Sequence, residues 1–261
     1  MDRHPNPGGA VRRVVSVLIC LTIPYLHARA DEIRGLVTIG MKRVFEEVRP
    51  GFETASGRRL DVQFASSPDI AKRVQEGEAA DFTIISRTAA DGLVNSGIVP
   101  VSNRFVLGGS SIAVAVPAGR PKPDVSTPER LRSALLAAEA IAYTDPASGG
   151  PSGIQFTKVL EHLGIAEQVR PKTKFPPAGG FVGEILARGE ADIGIQQSTE
   201  LSSFRGVDVV GLLPSEFQIV TEYAAAIPAN AVHPEAGKAL VEFMRSAEGA
   251  AAMKAKGLDL K

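Results

Sequence analysis

Two stretches of this 261-residue chain read alike, and that likeness narrows the fold more than any other feature. Short β-rich runs alternate with segments of helical period, first at 36–39, 44–55, 60–64, 70–75 and 82–85. The order returns at 141–143, 153–163, 173–175, 181–188 and 193–195. Such alternation predicts an α/β fold with a mainly parallel sheet. Ser67-Pro68 supplies an N-cap and a first-turn proline, so the second helix is expected to begin there. One local match is close: Gly77-Glu78-Ala79-Ala80-Asp81-Phe82-Thr83-Ile84 against Gly189-Glu190-Ala191-Asp192-Ile193-Gly194-Ile195. In both, a helix ends in Gly, an acidic turn follows and a buried strand begins.

The repeat predicts two similar α/β lobes. The apolar runs 112–117 and 222–228 each end in Pro and suit two hinge strands between them. Helical segments 234–246 and 249–256 would return to the first lobe. The expected organisation is lobe I from 31–115 plus 226–261, with lobe II from 116–225.

Residues 1–30 stand outside this scheme. Arg3, Arg12 and Arg13 precede an apolar run at 14–26, and Ala28-Arg29-Ala30 follows as a small-x-small sequence. This order predicts a secretory signal peptide cleaved before Asp31, with a periplasmic product. The apolar run is shorter than the roughly 20 residues a membrane span needs, so the mature chain is not expected to be membrane-embedded. Cys20, the single cysteine, would leave with the leader, so no disulfide or thiol nucleophile remains.

Composition excludes several functions. Twenty-nine basic residues balance 29 acidic ones, which argues against nucleic acid as a partner. His162 and His233, the histidines of the mature chain, lie far apart, so no zinc spacing exists and no metal or cofactor is expected. Ser148, in Ala147-Ser148-Gly149-Gly150, is not in a Gly-x-Ser-x-Gly elbow. Gly149-Gly150-Pro151-Ser152-Gly153 lacks the Lys-Ser/Thr ending of a nucleotide phosphate loop.

Ligands of open parallel sheets bind beyond the carboxyl ends of strands, where helix N-termini favour anions. Five turns qualify: Gly40-Met41-Lys42, Ala65-Ser66-Ser67, the Ser148–Gly149–Gly150–Pro151–Ser152 segment, Ala178-Gly179-Gly180-Phe181 and Gln196-Gln197-Ser198-Thr199. Two come from the first lobe and three from the second, so all can face one cleft. Taken singly, each also reads as an ordinary cap or loop. Lys42 and Arg43 open a helix, where cations oppose the dipole; an anionic partner or a solvated surface pair would account for them. Arg87 reads as a cleft residue or a local partner, and His162 and His233 as structural.

The order of leader, Phe64-Ala65-Ser66-Ser67, Glu76-Gly77-Glu78-Ala79-Ala80-Asp81, Thr144-Asp145-Pro146 and Gly189-Glu190-Ala191-Asp192 resembles the periplasmic molybdate-binding proteins, type II solute-binding proteins of ABC importers. The resemblance spans essentially the whole mature chain. It implies two α/β lobes closing on a small anion, an ABC permease as partner and a monomer in solution. It also implies an oxyanion held by neutral donors. Ser66 or Ser67 matches the second-turn serine, and the 148–152 and 179–181 segments match the backbone contributors. The first-turn serine aligns with Gly40, and a tyrosine with Gln197, so two hydroxyl donors are absent.

Each lost donor costs about 1–3 kcal/mol against a small oxyanion, and their loss makes room. Gln196, Gln197 and Lys42 offer amide and cationic partners suited to carboxylates. The expected ligand is an organic carboxylate, with molybdate or tungstate second. The alternative is an exported isomerase of an unsaturated tricarboxylate, resembling the aconitate isomerases, with Lys42, Tyr143 or a cleft carboxylate as base.

Overall fold

In a computed structural model of the chain, residue 1 and residues 32–260 other than 178 and 203 are described. The expected leader and its cleavage site lie outside the described residues. The chain begins with β1 (Ile33–Thr38), α1 (Lys42–Ser56), β2 (Leu60–Ala65), α2 (Ser67–Gln75), β3 (Phe82–Ser86) and α3 (Arg87–Asn95). A long strand β4 (Arg104–Pro117) leads to α4 (Pro128–Ala137), β5 (Ile141–Tyr143), α5 (Pro151–His162), α6 (Ala166–Val169), β6 (Thr173–Lys174) and α7 (Val182–Ala187). Then come β7 (Ile193–Gln197), α8 (Ser198–Leu201), β8 (Val207–Leu212), β9 (Val220–Ala226), α9 (Pro234–Arg245) and α10 (Ala247–Ala255).

Local chemistry sets the helix starts. The cap of α2 is Ser66 rather than the expected Ser67: its hydroxyl accepts from the Asp69 N–H, Ser67 is the first helical residue with its own hydroxyl taken by Ser86 N, and Pro68 sits in the first turn. Thr127 and Pro128 do the same for α4. On α1, Val44, Phe45, Val48 and Phe52 fall on one face and are buried.

The repeated acidic turn has a shared purpose. Asp81 clasps the start of β1: its N–H donates to Arg34 O at 2.8 Å and its Oδ2 accepts from Arg34 N at 2.9 Å. Asp192 does the same beside β5, donating to Ala140 O at 2.9 Å and accepting from Ala140 N at 3.0 Å. Each aspartate pins the neighbouring parallel strand in register, which explains why the same sequence recurs. Asp81 Oδ1 also accepts from His233 N at 2.6 Å, so His233 acts through its backbone, ahead of α9.

The strands lie in the order β2-β1-β3-β9-β4-β7-β5-β6, with β8 also on β4. Strands β1, β2 and β3 pair in parallel, as do β5, β6 and β7. The antiparallel strands β4 and β9 join the two parallel groups. Residues Arg104–Ser111 of β4 pair with β9, whereas Ile112–Pro117 pair with β7 and β8. Packing divides at the same place. One set of buried side chains, including Phe45, Phe82, Leu107, Leu240 and Met253, belongs to the first half; α9 and α10 therefore return to it. Another, including Ile112, Val114, Phe156 and Ile195, belongs to the second. This is a two-lobed α/β architecture in which a parallel group of strands in each half is joined by two antiparallel crossing strands.

Six pieces exceed what the sequence reading placed: α3, α4, the short helices α6 and α8, β8 and the first half of β4. In β4 the interruption by Gly108, Gly109, Ser110 and Ser111 hides a strand that continues through them. Gly108 has a steric reason, since a Cβ there would lie 2.4 Å from Asp259 O. Among the described residues no helix is long and apolar enough to cross a membrane.

Candidate functional site

Strand registers bring the two sets of carboxyl ends face to face. At the end of β3, Ser86 pairs with Tyr223 of β9, and Tyr223 pairs in turn with Gly108 of β4. At the end of β7, Gln197 pairs with Ile112 of the same β4. Since β4 runs from the first half into the second, the turns after β1, β2 and β3 lie toward those after β5, β6 and β7 about the short stretch between Gly108 and Ile112.

Contacts across that junction start from the turn after β1, residues 39–41, which leads into α1. Gly40 O accepts from the Thr199 hydroxyl at 3.0 Å. Ser110 Oγ lies 3.0 Å from Ser198 Oγ and 3.1 Å from Thr199 Oγ1, and Ser198 Oγ donates to Gly257 O at 3.1 Å. Met41 is fully buried beneath α1 and packs in the first core.

Lys42 and Arg43 reach over aromatic rings of both halves. Lys42 Nζ stands 5.4 Å from the Phe64 centroid and 5.7 Å from that of Phe181, a cation–π geometry. Arg43 Cζ lies 5.4 Å from Phe181 and 4.5 Å from Phe204. Arg43 pairs with Glu46 at 3.6 Å, while its buried Nε has no partner among the described residues. Phe181, itself buried, stacks at a tilt on Phe204. A Cβ on Gly179 would come within 3.9 Å of Ile39, so this loop also meets the first turn. The Gly180 N–H closes a turn onto Pro177 O.

The two glutamines serve opposite faces of β7. Gln196 Oε1 accepts from Val182 N at 2.9 Å and anchors the start of α7. Gln197 Nε2 donates to Thr221 Oγ1 of β9 at 2.8 Å, and its buried Oε1 has no partner among the described residues.

The serine turns make their side-chain contacts within their own halves. Ser66 Oγ caps α2 and donates to Asp69 at 2.6 Å. Ser67 Oγ accepts from Ser86 N at 2.9 Å and ties the ends of two turns together. Ser148 Oγ donates to Asp145 O at 2.6 Å, and Ser152 Oγ bonds Thr144 Oγ1 at 3.2 Å. Gly149 adopts a left-handed φ of 74°, and Gly150 caps α5.

Of the other polar residues, Arg87 donates to Glu222 at 2.8 Å and lies near Asp91, and His162 packs its ring on Phe217 at the end of α5. Tyr143, between Phe156 and Phe175, has its phenol pKa raised by burial, partly offset by hydrogen bonds with Thr173 and Thr157.

Two residues at the junction escape the sequence reading. Glu200, in the first turn of α8, is buried; desolvation pushes its carboxyl up to about 8, partly offset by a hydrogen bond to the Gln197 backbone. Tyr223 is 3% exposed, and burial followed by the charge of Glu200 raises its phenol pKa far above the ordinary value. The spacing of Thr221 and Tyr223, two apart on β9, was the available signal, because such residues share a face. Among the described residues no cluster of His, Cys, Asp or Glu could hold a metal. A surface cavity of about 360 Å³ lined by Asn103, Phe105, Lys238 and Arg245 lies at the other end of the first half and plays no part here.

The sequence pattern of the bacterial extracellular solute-binding proteins matches residues 33–259. The chain belongs to that family. Among curated relatives, an aconitate isomerase from Pseudomonas sp is 35% identical over 251 residues, covering 94% of each chain. The molybdate-binding protein ModA of Escherichia coli K12 is 26% identical, covering 90% of this chain and 92% of its own. The periplasmic molybdate-binding protein of Azotobacter vinelandii shares the fold at a TM-score of 0.72 and 18% identity, over 88% of this chain and 99% of that one. This solute-binding protein is thus a divergent relative of the ModA type.

Proposed function

We propose that this solute-binding protein closes its two lobes on an organic polycarboxylate in the periplasm and presents it, as a monomer, to an ABC permease. The observation that carries the reading is Lys42: it stands where the two sets of strand ends face each other, over Phe64 and Phe181, and forms no ion pair among the described residues. A cation whose ammonium is left to a ligand suits a carboxylate, whereas Gly40 and Gln197 bring no hydroxyl for a small tetrahedral oxyanion. Lobe closure about β4 and β9 gives each half a share of the contacts.

A second reading is favoured by the relative named aconitate isomerase. The same clamp, with one positioned base, would move a proton within an unsaturated tricarboxylate. Lys42, Tyr143 and Glu200 are the groups near the strand ends able to exchange a proton.

A thermal-shift panel on the mature protein tests both, comparing molybdate and tungstate with citrate, cis-aconitate and trans-aconitate. Ligand at about a hundred times Kd adds roughly 2.7 kcal/mol, a clear shift of midpoint. Carboxylate shifts exceeding those of the oxyanions are expected; molybdate binding as tight as the best carboxylate would sink the proposal. Proton exchange between aconitate and deuterated water, lost in Lys42→Ala, would favour the enzyme.

A further inference from the structure

The reading of an anion held between the lobes leaves open which group donates to it at the first turn. Tyr223 reaches that turn from a different element. It is the β9 residue opposite the last residue of β3 and next to Gly108, so it sits at the level where the strand ends face the second half. Its phenol oxygen lies so close to Gly40 that a Cβ there would be 2.4 Å from Oη and 3.2 Å from Cζ. Gly40 is therefore a glycine for room, since nothing but hydrogen can stand between the turn backbone and this hydroxyl.

Tyr223 is 97% buried, yet among the described residues its Oη makes no hydrogen bond. Gly40 O, the neighbouring acceptor, is engaged by Thr199. A hydroxyl at a junction between lobes that has no partner among the described residues is free to donate to an acceptor supplied from outside the chain. Two residues along the same face of β9, Thr221 is held by Gln197 Nε2 from the second half at 2.8 Å, so this face of β9 lies at the junction of the halves.

We propose that Tyr223 is a ligand-binding residue, donating its hydroxyl hydrogen to one oxygen of the bound anion at the Gly40 turn. A neutral phenol donor then takes the place of a first-turn serine, with the hydroxyl moved from the turn to β9, two strands away. Burial and the nearby Glu200 keep the proton on the phenol, so Tyr223 acts as a donor throughout the physiological range. The arrangement also selects by shape: the ring fills the space beside Gly40, and the anion must offer an oxygen to a donor fixed by β9.

The test uses the mature protein with citrate, cis-aconitate and molybdate as probes and calorimetry as the readout. Tyr223→Phe should weaken the best-bound probe at least tenfold while the ligand-free unfolding midpoint changes little. In wild-type protein labelled with ¹³Cζ-tyrosine, the Tyr223 resonance, assigned by its loss in Tyr223→Phe, should shift on addition of the same probe. If Tyr223→Phe fails to fold, the resonance, assigned instead by elimination with Tyr143→Phe, decides alone. Wild-type protein that binds a probe with no shift, or a phenylalanine variant with unchanged affinity, overturns this assignment and leaves the anion reading standing. Wild-type protein that binds none of the probes overturns both.

Discussion

Replacing Glu200 by Gln tests how deeply the junction is closed to water. Burial raises this carboxyl from 4.5 to about 8. Between those values the folded protein holds a proton that the unfolded chain has released. Stability therefore falls as pH rises from about 4.5 and levels off above about 8. Each pH unit in that window is worth about 1.4 kcal/mol. Glutamine does not titrate, and its amide can keep a contact with the Gln197 backbone. The stability difference between Glu200→Gln and wild type should therefore widen in favour of the variant by roughly 3 kcal/mol between pH 5 and pH 8. In a chain of this size that is a relative change in midpoint of roughly 6–12 °C. Urea unfolding of both proteins at pH 5, 6, 7, 8 and 9 measures it, with the slope against urea checking that the transition stays two-state. Effects of other titrating groups cancel in the difference. A difference that stays flat over the range would show that Glu200 reaches solvent in solution and would refute the reasoning.

Gly40→Ala should cost about 1–3 kcal/mol by overpacking against Tyr223 Oη, and less than half of that in a Tyr223→Phe background; a double-mutant cycle in urea that shows no coupling would contradict the close approach. Lys42→Ala should weaken citrate binding tenfold or more and flatten its salt dependence, read by calorimetry at two ionic strengths; equal affinity would remove the cation from the site. Lys172 Nζ donates to Leu135 O, Leu136 O and Ala138 O at 2.9, 2.9 and 2.6 Å, satisfying carbonyls at the end of α4. Lys172→Met should cost about 1–3 kcal/mol in urea without touching ligand affinity, and a neutral result would show that water replaces the ammonium.

Much of the architecture was legible because it rests on short-range chemistry. Ser67-Pro68 marks the start of α2 to within one residue of its true cap, Ser66, and the two Gly-Glu-Ala acidic turns mark strand starts because their aspartates clasp backbone one strand away. The passage of β4 through Gly108–Ser111 was not legible, since those small residues make sense only beside Asp259, Val220 and α8 from distant parts of the chain. The turns of the site could be picked out by their glycines and serines, but not the use of each. Ser66 is engaged as a cap, and Gln196 and Gln197, adjacent in sequence, serve opposite faces. Tyr223 and Glu200 look like ordinary surface-capable residues until tertiary packing buries them.

The position of β9 bears on how the molecule is made. In space it lies between β3 and β4, at the middle of the sheet, yet it is the last strand in the sequence. As the chain emerges from the ribosome, the second half is contiguous and can assemble from 112–217, while β3 and β4 wait with unpaired edges for β9. Open edges invite pairing with other chains, so the time before β9 arrives is when holding factors matter most. The half that starts the protein therefore cannot finish folding until nearly all of it has been synthesised.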